Sequence, residues 1–398
     1  MSGFVANYQP HNNLEELDRF RGCLVGGAVG DALGYTVEFM SEWEIFSKYG
    51  ERGITSYELD RVTGKALVSD DTQMTLFTAT GILFGQTRGF MRGIAARPRS
   101  YVARAYQDWL MTQEKTFGQA QAELADEDRY RTSWLLDVPE LYHRRAPGNT
   151  CLSALSKHRR SGAGVDDYVA EAPQLNDSKG CGGVMRVAPV GLAWVGGNQS
   201  AIDMEAAQIA AITHGHSLGY MPAAVLAHIV GRVVTGEVML EDAVREARDA
   251  TERLFAGDVH LCELVDIIDL AVDLAKNDDA DLENIHRLGE GWVGEEALAI
   301  AIYCALRHQT DFSAAVIAAV NHSGDSDSTG AVCGNIVGAL LGYEAIGDRW
   351  TRDLELLDVI IELADDLCHG CQISERGSRR DPAWECKYIQ CHRYNENE

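Results

Sequence analysis

Two short clusters of acidic and hydroxyl side chains lie far apart in the sequence. The first is Ser69-Asp70-Asp71-Thr72, and the second is Asp325-Ser326-Asp327-Ser328-Thr329. Oxygen ligands of this kind suit hard divalent cations such as Mg²⁺, Mn²⁺ or Ca²⁺, and repulsion between neighbouring carboxylates favours a cation beside them. We therefore interpret each cluster as one half of a single divalent-metal site, which folding would bring together.

Helix capping is the alternative interpretation of both clusters. Each cluster directly precedes an apolar segment with helical spacing, where acidic and hydroxyl side chains are favoured as N-terminal caps. Two adjacent acids exceed what one cap needs, however, and the arrangement occurs twice. Two such helix starts that face one another would form a two-metal site.

A glycine-rich loop and a histidine pair are the next candidates. The loop runs from Asn176 to Arg186 through Gly180-Cys181-Gly182-Gly183, and its amides could approach a phosphate, although such loops are more often plain turns. In Thr213-His214-Gly215-His216 the histidines could contact a phosphate, transfer protons or simply end a helix. Their spacing does not place both on one helix face, which argues against a zinc site made from this pair alone.

The C-terminal segment is rich in cysteine. It contains Cys368-His369-Gly370-Cys371, followed by Cys386 and Cys391-His392. This pattern is compatible with structural zinc, but the second pair is separated by four residues. We favour reduced cysteines that bind nothing.

Two glycine stripes must position the acidic clusters. Each stripe has four glycines at four-residue spacing, and they are Gly22, Gly26, Gly30 and Gly34, and Gly330, Gly334, Gly338 and Gly342. Residues four apart lie on one helix face, so each stripe lets a neighbouring backbone approach closely. Glycine costs roughly 1 kcal/mol in a helix interior, so the stripes need a packing reason. They predict two buried helices packed near each other.

Most of the remaining chain has helical spacing of apolar residues, and no alternation of strands and helices is present. The predicted helices are Leu14 to Phe39, Met74 to Phe84, Tyr101 to Thr112, Met204 to Thr235, Leu240 to Phe255, Leu261 to Lys276, Glu295 to Leu306, Phe312 to Asn321, Thr329 to Tyr343 and Leu354 to Leu367. Val62 to Leu67 is the one candidate for a short strand or hairpin. No linker divides the chain, so we expect an all-α protein.

Composition excludes some classes of partner. The net charge of −25, from 60 acidic against 35 basic residues, argues against nucleic acid as a direct ligand. The apolar stripes are interrupted by Asp31 and Asn335, which argues against a membrane span. The polar start without a signal-peptide pattern, and ten scattered cysteines, indicate a cytoplasmic protein with reduced thiols.

Taken together and in their order along the chain, these motifs resemble those of the ADP-ribosylglycohydrolase family. The resemblance extends from about residue 17 to 345. It rests on Arg21-Gly22 through Gly30-Asp31-Ala32-Leu33-Gly34, both acidic clusters, Gly180-Cys181-Gly182 before Met185-Arg186, Thr213-His214, and Gly289-Glu290-Gly291-Trp292. It implies a compact all-α domain over residues 14–367 with a binuclear metal cleft, and leaves residues 368–398 as a C-terminal extension outside the family pattern.

The resemblance also implies roles for individual residues. Two Mg²⁺ or Mn²⁺ ions would be bound by Ser69, Asp70, Asp71, Asp325, Asp327 and Ser328. The ADP-ribose would contact Asp177, Gly180, Cys181, Gly182, Gly183, Met185, His214, Gly291 and Trp292. The catalytic carboxylates would be Asp70, Asp71, Asp325 and Glu38, and the sequence leaves open whether Glu38 or Asp71 is the general base.

The implied activity is hydrolysis of the N-glycosidic bond between ADP-ribose and an arginine side chain of a modified protein. Arginine-directed members carry Ser-Asp-Asp, a Gly-Cys-Gly loop ending in Met-Arg, and Asp-Ser-Asp-Ser-Thr, which this chain reproduces. Members acting on O-linked serine or O-acetyl products more often carry Thr-Asp-Asp and Asp-Thr-Asp-Thr. Such O-linked hydrolysis, a non-catalytic ADP-ribose-binding protein and a metal phosphohydrolase are the alternatives.

Overall fold

The computed structural model describes residues 13–93, 97–125, 131–161, 175–373 and 379–394. The longer helices of these parts are α1 (Leu14–Tyr35), α3 (Asp70–Arg92), α4 (Pro98–Glu114), α6 (Asn149–Ser161), α8 (Gln199–Ala210), α9 (Ser217–Val233), α10 (Leu240–Leu254), α11 (Leu261–Leu274), α13 (Gly294–Arg307), α14 (Phe312–Val320), α15 (Ser326–Leu341) and α17 (Leu357–His369). The short helices are α2 (Glu42–Tyr49), α5 (Phe117–Leu124), α7 (Ala188–Ala193), α12 (Asp281–Leu288), α16 (Asp348–Thr351) and α18 (Pro382–Glu385).

The described residues contain no β-strand, which confirms the predicted all-α class. The same residues contain two isolated bridges, between Ala66 and Leu354 and between Gly180 and Val293. The segment Val62 to Leu67, predicted as a short strand or hairpin, forms no strand; it lies in a turn in which the Asp60 amide donates to the Lys65 carbonyl at 2.8 Å. Within the described ranges, no helix is long and apolar enough to cross a membrane.

The two glycine stripes form one seam between α1 and α15, as predicted. A Cβ atom built at Gly34 would lie 2.6 Å from the Asp327 Cα, and one built at Gly22 would lie 2.7 Å from the Gly342 carbonyl carbon. Carbon atoms in contact are normally about 3.5–4.0 Å apart, so only glycine permits this approach. Asn335 adds a hydrogen bond from its amide to the Cys23 carbonyl at 2.8 Å.

The predicted helix from Met204 to Thr235 is wrong as a single element. It consists of the C-terminal part of α8 and the whole of α9, separated by a turn that contains Thr213 and His214. His216 starts the second helix, because its Nδ1 accepts the Leu218 amide at 3.1 Å. The break leaves Thr213 and His214 outside regular helix, beside the glycine-rich loop.

The C-terminal extension packs against the end of α3 and against α17. The Trp384 indole donates to Thr87 Oγ1 at 2.9 Å, and the Tyr388 hydroxyl donates to Asp366 at 2.6 Å. Trp384 and Tyr388 are buried. These contacts lie at the opposite end of α3 from Asp70, so the extension braces the helices rather than lining the acidic cluster.

Candidate active site

The first acidic cluster starts α3 and is fixed by Asp31 of α1. Ser69 is the N-cap, and its hydroxyl accepts the Asp71 amide at 3.2 Å. The buried Asp31 carboxylate accepts the Ser69 amide at 3.0 Å, the Thr72 amide at 3.0 Å and the Thr72 hydroxyl. Asp31 therefore ties the start of α3 to the glycine seam and leaves the carboxylates of the first turn for other partners.

The second cluster starts α15 in the same way. Asp325 is the N-cap and accepts the Ser328 amide at 3.2 Å. The Thr329 hydroxyl lies 2.7 Å from the Ala319 carbonyl and 3.0 Å from His322 Nε2, which holds this helix start against the end of α14. Both clusters thus cap helices, as the alternative interpretation requires, but capping does not use all of their carboxylate oxygens.

Folding brings the two clusters and Glu38 into one buried group. The charges of Asp71, Asp325 and Glu38 all act on Asp327, so these carboxylates lie close together. Burial and the charge of Asp325 raise the pKa of Glu38 to about 8, and burial with the charges of Asp31 and Asp325 raises the pKa of Asp70 to about 8. Burial and the surrounding carboxylates also raise the pKa values of Asp71 and Asp327 well above the usual range. Such crowding of acids favours a cation or shared protons.

The donor set fits a hard divalent cation by its chemistry. Asp71 Oδ1 and Glu38 Oε2 are buried without a hydrogen-bond partner among the described residues, and unsatisfied carboxylate oxygens of this kind are candidate metal ligands. Among the same residues, however, no three acidic, histidine or cysteine side chains stand together in an arrangement that could hold a metal ion, so the binuclear metal cleft stays a prediction. Asp325 Oδ2 instead accepts a hydrogen bond from the Cys181 thiol at 2.7 Å.

The glycine-rich loop closes over the second cluster. Cys181 to Gly183 form a single 3₁₀ turn, and Ser328 Oγ lies 3.8 Å from Met185 Sδ. The loop pairs with the segment before α13, because the Cys181 amide donates to the Trp292 carbonyl at 3.2 Å. The Asp177 side chain is exposed at the start of the loop. The structure therefore places the loop directly beside the acidic group.

His214 lies under this loop as a neutral ring. A Cβ atom built at Gly180 would be 3.5 Å from His214 Nε2, and one built at Gly182 would be 3.4 Å from it. Burial and the nearby Arg186 charge lower the pKa of His214 to about 3. The ring is thus available as a neutral hydrogen-bonding group rather than as a cation.

Gly291 and Trp292 lie at the rim of the site. Gly291 has a φ of 83°, and a Cβ atom there would be 2.7 Å from Thr329 Cγ2. Trp292 is 40% exposed and stacks on Phe39, which is 75% exposed, with ring centroids 6.2 Å apart. Because Phe39 directly follows Glu38 in the sequence, this exposed aromatic pair provides an apolar surface near the acidic group.

Two buried residues near the site were not predicted as site residues. Asp31 and Arg186 both belong to motifs that carry the family resemblance, and Asp31 also interrupts an apolar stripe, but the sequence analysis gives neither residue a role in the site. A charge within an otherwise apolar buried helix was the available signal for Asp31, because such a group must have partners. The partners themselves come from distant segments and are not visible in the sequence.

The cysteines of the C-terminal segment do not form a zinc site among the described residues. Cys368, Cys371, Cys386 and Cys391 are all free thiols, and no metal-binding group includes them. Burial raises the pKa of Cys391 to about 12, which keeps it protonated and weakly reactive.

Comparison with known proteins identifies the family. The family model described as ADP-ribosylglycohydrolase matches residues 12–377. The chain belongs to the ADP-ribosylglycohydrolase family. The ADP-ribosyl-(dinitrogen reductase) glycohydrolase of Rhodospirillum rubrum is 27% identical over 341 residues, which cover 85% of this chain and 91% of that protein.

Further relatives agree with this assignment. The human ADP-ribosylhydrolase ARH3 is 25% identical over 377 residues, covering 88% of this chain and 93% of the human protein. A solved structure titled as an ADP-ribosylglycohydrolase-related protein complex has a TM-score of 0.60 at 25% identity, covering 89% of this chain and 98% of its own. The chain is therefore a member of a hydrolase family that acts on ADP-ribosylated substrates.

Proposed function

We propose that the protein is a metal-dependent hydrolase that releases ADP-ribose from ADP-ribosylated arginine in a modified protein. The observation that carries this proposal is the meeting of two acidic helix starts in one buried group, directly beside a glycine-rich loop. The acids suit a cation and the loop suits a phosphate-bearing ligand. Their adjacency is what a metal-dependent reaction on ADP-ribose requires.

Each part of the site has a role in the proposed reaction. The glycine-rich loop and His214 would bind the diphosphate and ribose, with Trp292 at the rim. Two Mg²⁺ or Mn²⁺ ions, when held by Ser69, Asp70, Asp71, Asp325, Asp327 and Ser328, would supply orientation of the ribose hydroxyls and activation of water. The surrounding carboxylates would stabilise positive charge that develops at the anomeric carbon.

A carboxylate must take the proton of the attacking water. Glu38 and Asp71 each have one buried oxygen without a partner among the described residues, so both have a lone pair available for this role. The departing arginine is itself a strong base, so its release needs no dedicated acid. The proposal therefore assigns the proton acceptor to one of these two residues.

Two features support arginine as the acceptor. The chain carries the Ser-Asp-Asp and Asp-Ser-Asp-Ser-Thr forms of the two clusters, and the Rhodospirillum relative is named for a dinitrogen reductase substrate. One feature favours O-linked ADP-ribose as a second candidate. Glu38, at the position where O-linked members have a functional glutamate, lies within the buried acidic group.

A product assay on three substrates tests the proposal. Arginine-, serine- and O-acetyl-linked ADP-ribose would be incubated in parallel with Mg²⁺, Mn²⁺ or a chelator, and released ADP-ribose would be measured. We expect metal-dependent release, fastest from arginine. Faster release from serine would move the assignment to the O-linked class, and no release from any of them would refute the enzyme proposal in favour of ADP-ribose binding alone.

Paired variants test the shared site. Asp70→Asn and Asp327→Asn, from opposite clusters, should each abolish the activity. Asp203→Asn is a matched control, because Asp203 is a buried acid on α8 whose partners are Gln199 and His228. Release of free phosphate from nucleotides by the wild type, without release of ADP-ribose, would instead support a phosphohydrolase.

A further inference from the structure

Arg186 is a fully buried cation that the roles above do not use. Its side chain has 0% exposure, and its guanidinium lies 4.5 Å from the centre of the Tyr106 ring. Nη1 contacts Cys151 Sγ at 3.3 Å. No carboxylate among the described residues is within ion-pair distance. Burial of an arginine without an acidic partner is costly, so its placement needs a reason other than ion pairing.

The strongest contact of Arg186 is to Thr213. Nη2 lies 2.6 Å from Thr213 Oγ1, and the carbonyls of Ile209 and Ala210 are both at 3.4 Å. A guanidinium only donates hydrogen bonds. Thr213 Oγ1 must therefore accept from Arg186, which leaves the single hydroxyl proton of Thr213 to be donated elsewhere.

The hydroxyl proton of Thr213 has one well-placed acceptor. His214 Nδ1 lies 2.8 Å from Oγ1, whereas the Ala210 carbonyl lies at 3.5 Å, the limit of a hydrogen bond. Donation to His214 makes Nδ1 an acceptor. A neutral imidazole with an accepting Nδ1 carries its proton on Nε2.

The Nε2 side of the ring faces the glycine-rich loop. Cβ atoms built at Gly180 and Gly182 would lie 3.5 and 3.4 Å from Nε2, so the backbone of the loop passes directly over this side of the ring. His214 is 1% exposed, so bulk water does not compete for this proton. A ligand at the loop would therefore meet a fixed donor.

We propose that Arg186 is a positioning residue that acts through Thr213 to hold His214 in the Nε2–H tautomer, so that the ring donates a hydrogen bond at the glycine-rich loop. The opposite tautomer would present a lone pair, which repels an anionic diphosphate. That the ligand is ADP-ribose rests on the proposed function, whereas the tautomer itself does not.

Long-range ¹H–¹⁵N correlation spectra of the ligand-free protein test the tautomer directly. The His214 signals, assigned by their loss in His214→Gln, should show a protonated Nε2 and a bare Nδ1. Thr213→Val removes the hydroxyl and should populate the Nδ1–H tautomer, while Thr213→Ser should restore the wild-type pattern. Thr251→Val is the matched control, since Thr251 is a buried threonine whose hydroxyl donates to the Ala247 carbonyl at 2.8 Å.

Two results would overturn the proposal. One is a wild-type His214 with its proton on Nδ1, a measurement that needs no variant. The other is Thr213→Val with an unchanged Nε2–H tautomer in a folded protein. Arg186→Lys provides a second perturbation, because lysine keeps the charge but not the geometry of the guanidinium, and it should reduce the Nε2–H population.

Titration with ADP-ribose separates this proposal from the proposed function. A hydrogen bond to a charged group contributes about 1.5–3 kcal/mol, so Thr213→Val should weaken ADP-ribose binding by about ten-fold or more, with recovery in Thr213→Ser. A tautomer change without any loss of ADP-ribose affinity would support the role of Thr213 in fixing the His214 tautomer. It would also count against ADP-ribose as the ligand of this loop. Absence of ADP-ribose binding by the wild type would refute the proposed function alone.

Discussion

Alanine in the glycine seam should separate the stability of the fold from the geometry of the site. Gly34 faces the Asp327 Cα across the seam at 2.6 Å, measured from a built Cβ, and Gly22 faces the Gly342 carbonyl carbon at 2.7 Å. The two glycines are twelve residues apart, or about 18 Å along α1. Gly34→Ala and Gly22→Ala therefore introduce nearly the same clash at opposite ends of one interface.

The size of the effect follows from the approach distances. Carbon contacts of about 3.5–4.0 Å require α1 and α15 to separate locally by about 1 Å. Because the opposing atoms are backbone, no side chain can move aside, and overpacking of this kind costs about 1–3 kcal/mol or more. The better helix propensity of alanine offsets about 1 kcal/mol. We expect a net loss of up to about 2 kcal/mol for each variant, or up to about 2–3 °C in Tm for a chain of this size.

Activity should distinguish the two variants. A displacement of about 1 Å at a reacting group can cost about 100-fold in rate, and Gly34→Ala pushes directly on the backbone of Asp327. Gly22→Ala acts at the far end of α15. At a temperature where both variants are folded, kcat should fall strongly for Gly34→Ala and by less than about three-fold for Gly22→Ala.

Gly118→Ala is the matched control for both substitutions. Gly118 lies in α5 with nothing within 4 Å of a built Cβ, so alanine there should leave Tm unchanged or raise it. Thermal unfolding and initial rates of ADP-ribose release would be measured on all three variants. Wild-type Tm for Gly34→Ala would refute the seam as described, and equal loss of kcat in Gly22→Ala would refute its local link to the site.

Three further predictions concern the acids and the extension. Glu38 and Asp70 have pKa values of about 8, so between pH 5 and 8 they bind protons in the folded state that the unfolded state has released. The Tm of the metal-free protein should therefore fall as the pH rises from 5 to 8, and Mn²⁺ should restore it most at pH 8. A pH-independent Tm would contradict this prediction. Asp31→Asn should lower the free energy of unfolding by about 1–3 kcal/mol, because the Ser69 amide loses a charged acceptor. It should also weaken Mn²⁺ binding measured by calorimetry. An unchanged Mn²⁺ affinity would make Asp31 purely structural. Trp384→Ala should lower the free energy of unfolding by about 3–5 kcal/mol, because it removes a large buried side chain. At low temperature kcat should be unchanged, since the extension packs against α3 far from the start of that helix. A large loss of kcat in the folded variant would place the extension in the site.

The periodic parts of the structure were predictable from the sequence. The seam follows from the spacing of eight glycines, because a helix makes every fourth residue share a face and only glycine allows backbones to touch. The two acidic helix starts follow from capping chemistry combined with an excess of carboxylates. Both features are local patterns, so no knowledge of tertiary contacts was needed to find them.

The failures arise where tertiary contacts decide. The segment from Met204 to Thr235 keeps helical periodicity through Thr213 and His214, so periodicity alone predicts one continuous helix. The turn there is fixed by partners from elsewhere, among them Asn176, whose side chain donates to the Thr213 carbonyl at 2.8 Å and accepts the Gly215 amide at 3.0 Å. Asp31 was missed as a site residue for the same reason, since its donors lie 38 and 41 positions away.

The placement of Asp31 explains how the fold tolerates a crowd of buried acids. A helix start offers free amides and the positive end of a dipole, which together stabilise nearby carboxylates. At α3 Asp31 accepts two of these amides, those of Ser69 and Thr72, and burial raises the pKa of Asp31 to about 6. Asp71 consequently keeps an oxygen without a partner among the described residues. Because Asp31 sits between Gly30 and Gly34 on α1, the seam that aligns α15 also sets the position of α3. One interface thereby fixes both halves of the acidic group while leaving its oxygens available for ligands.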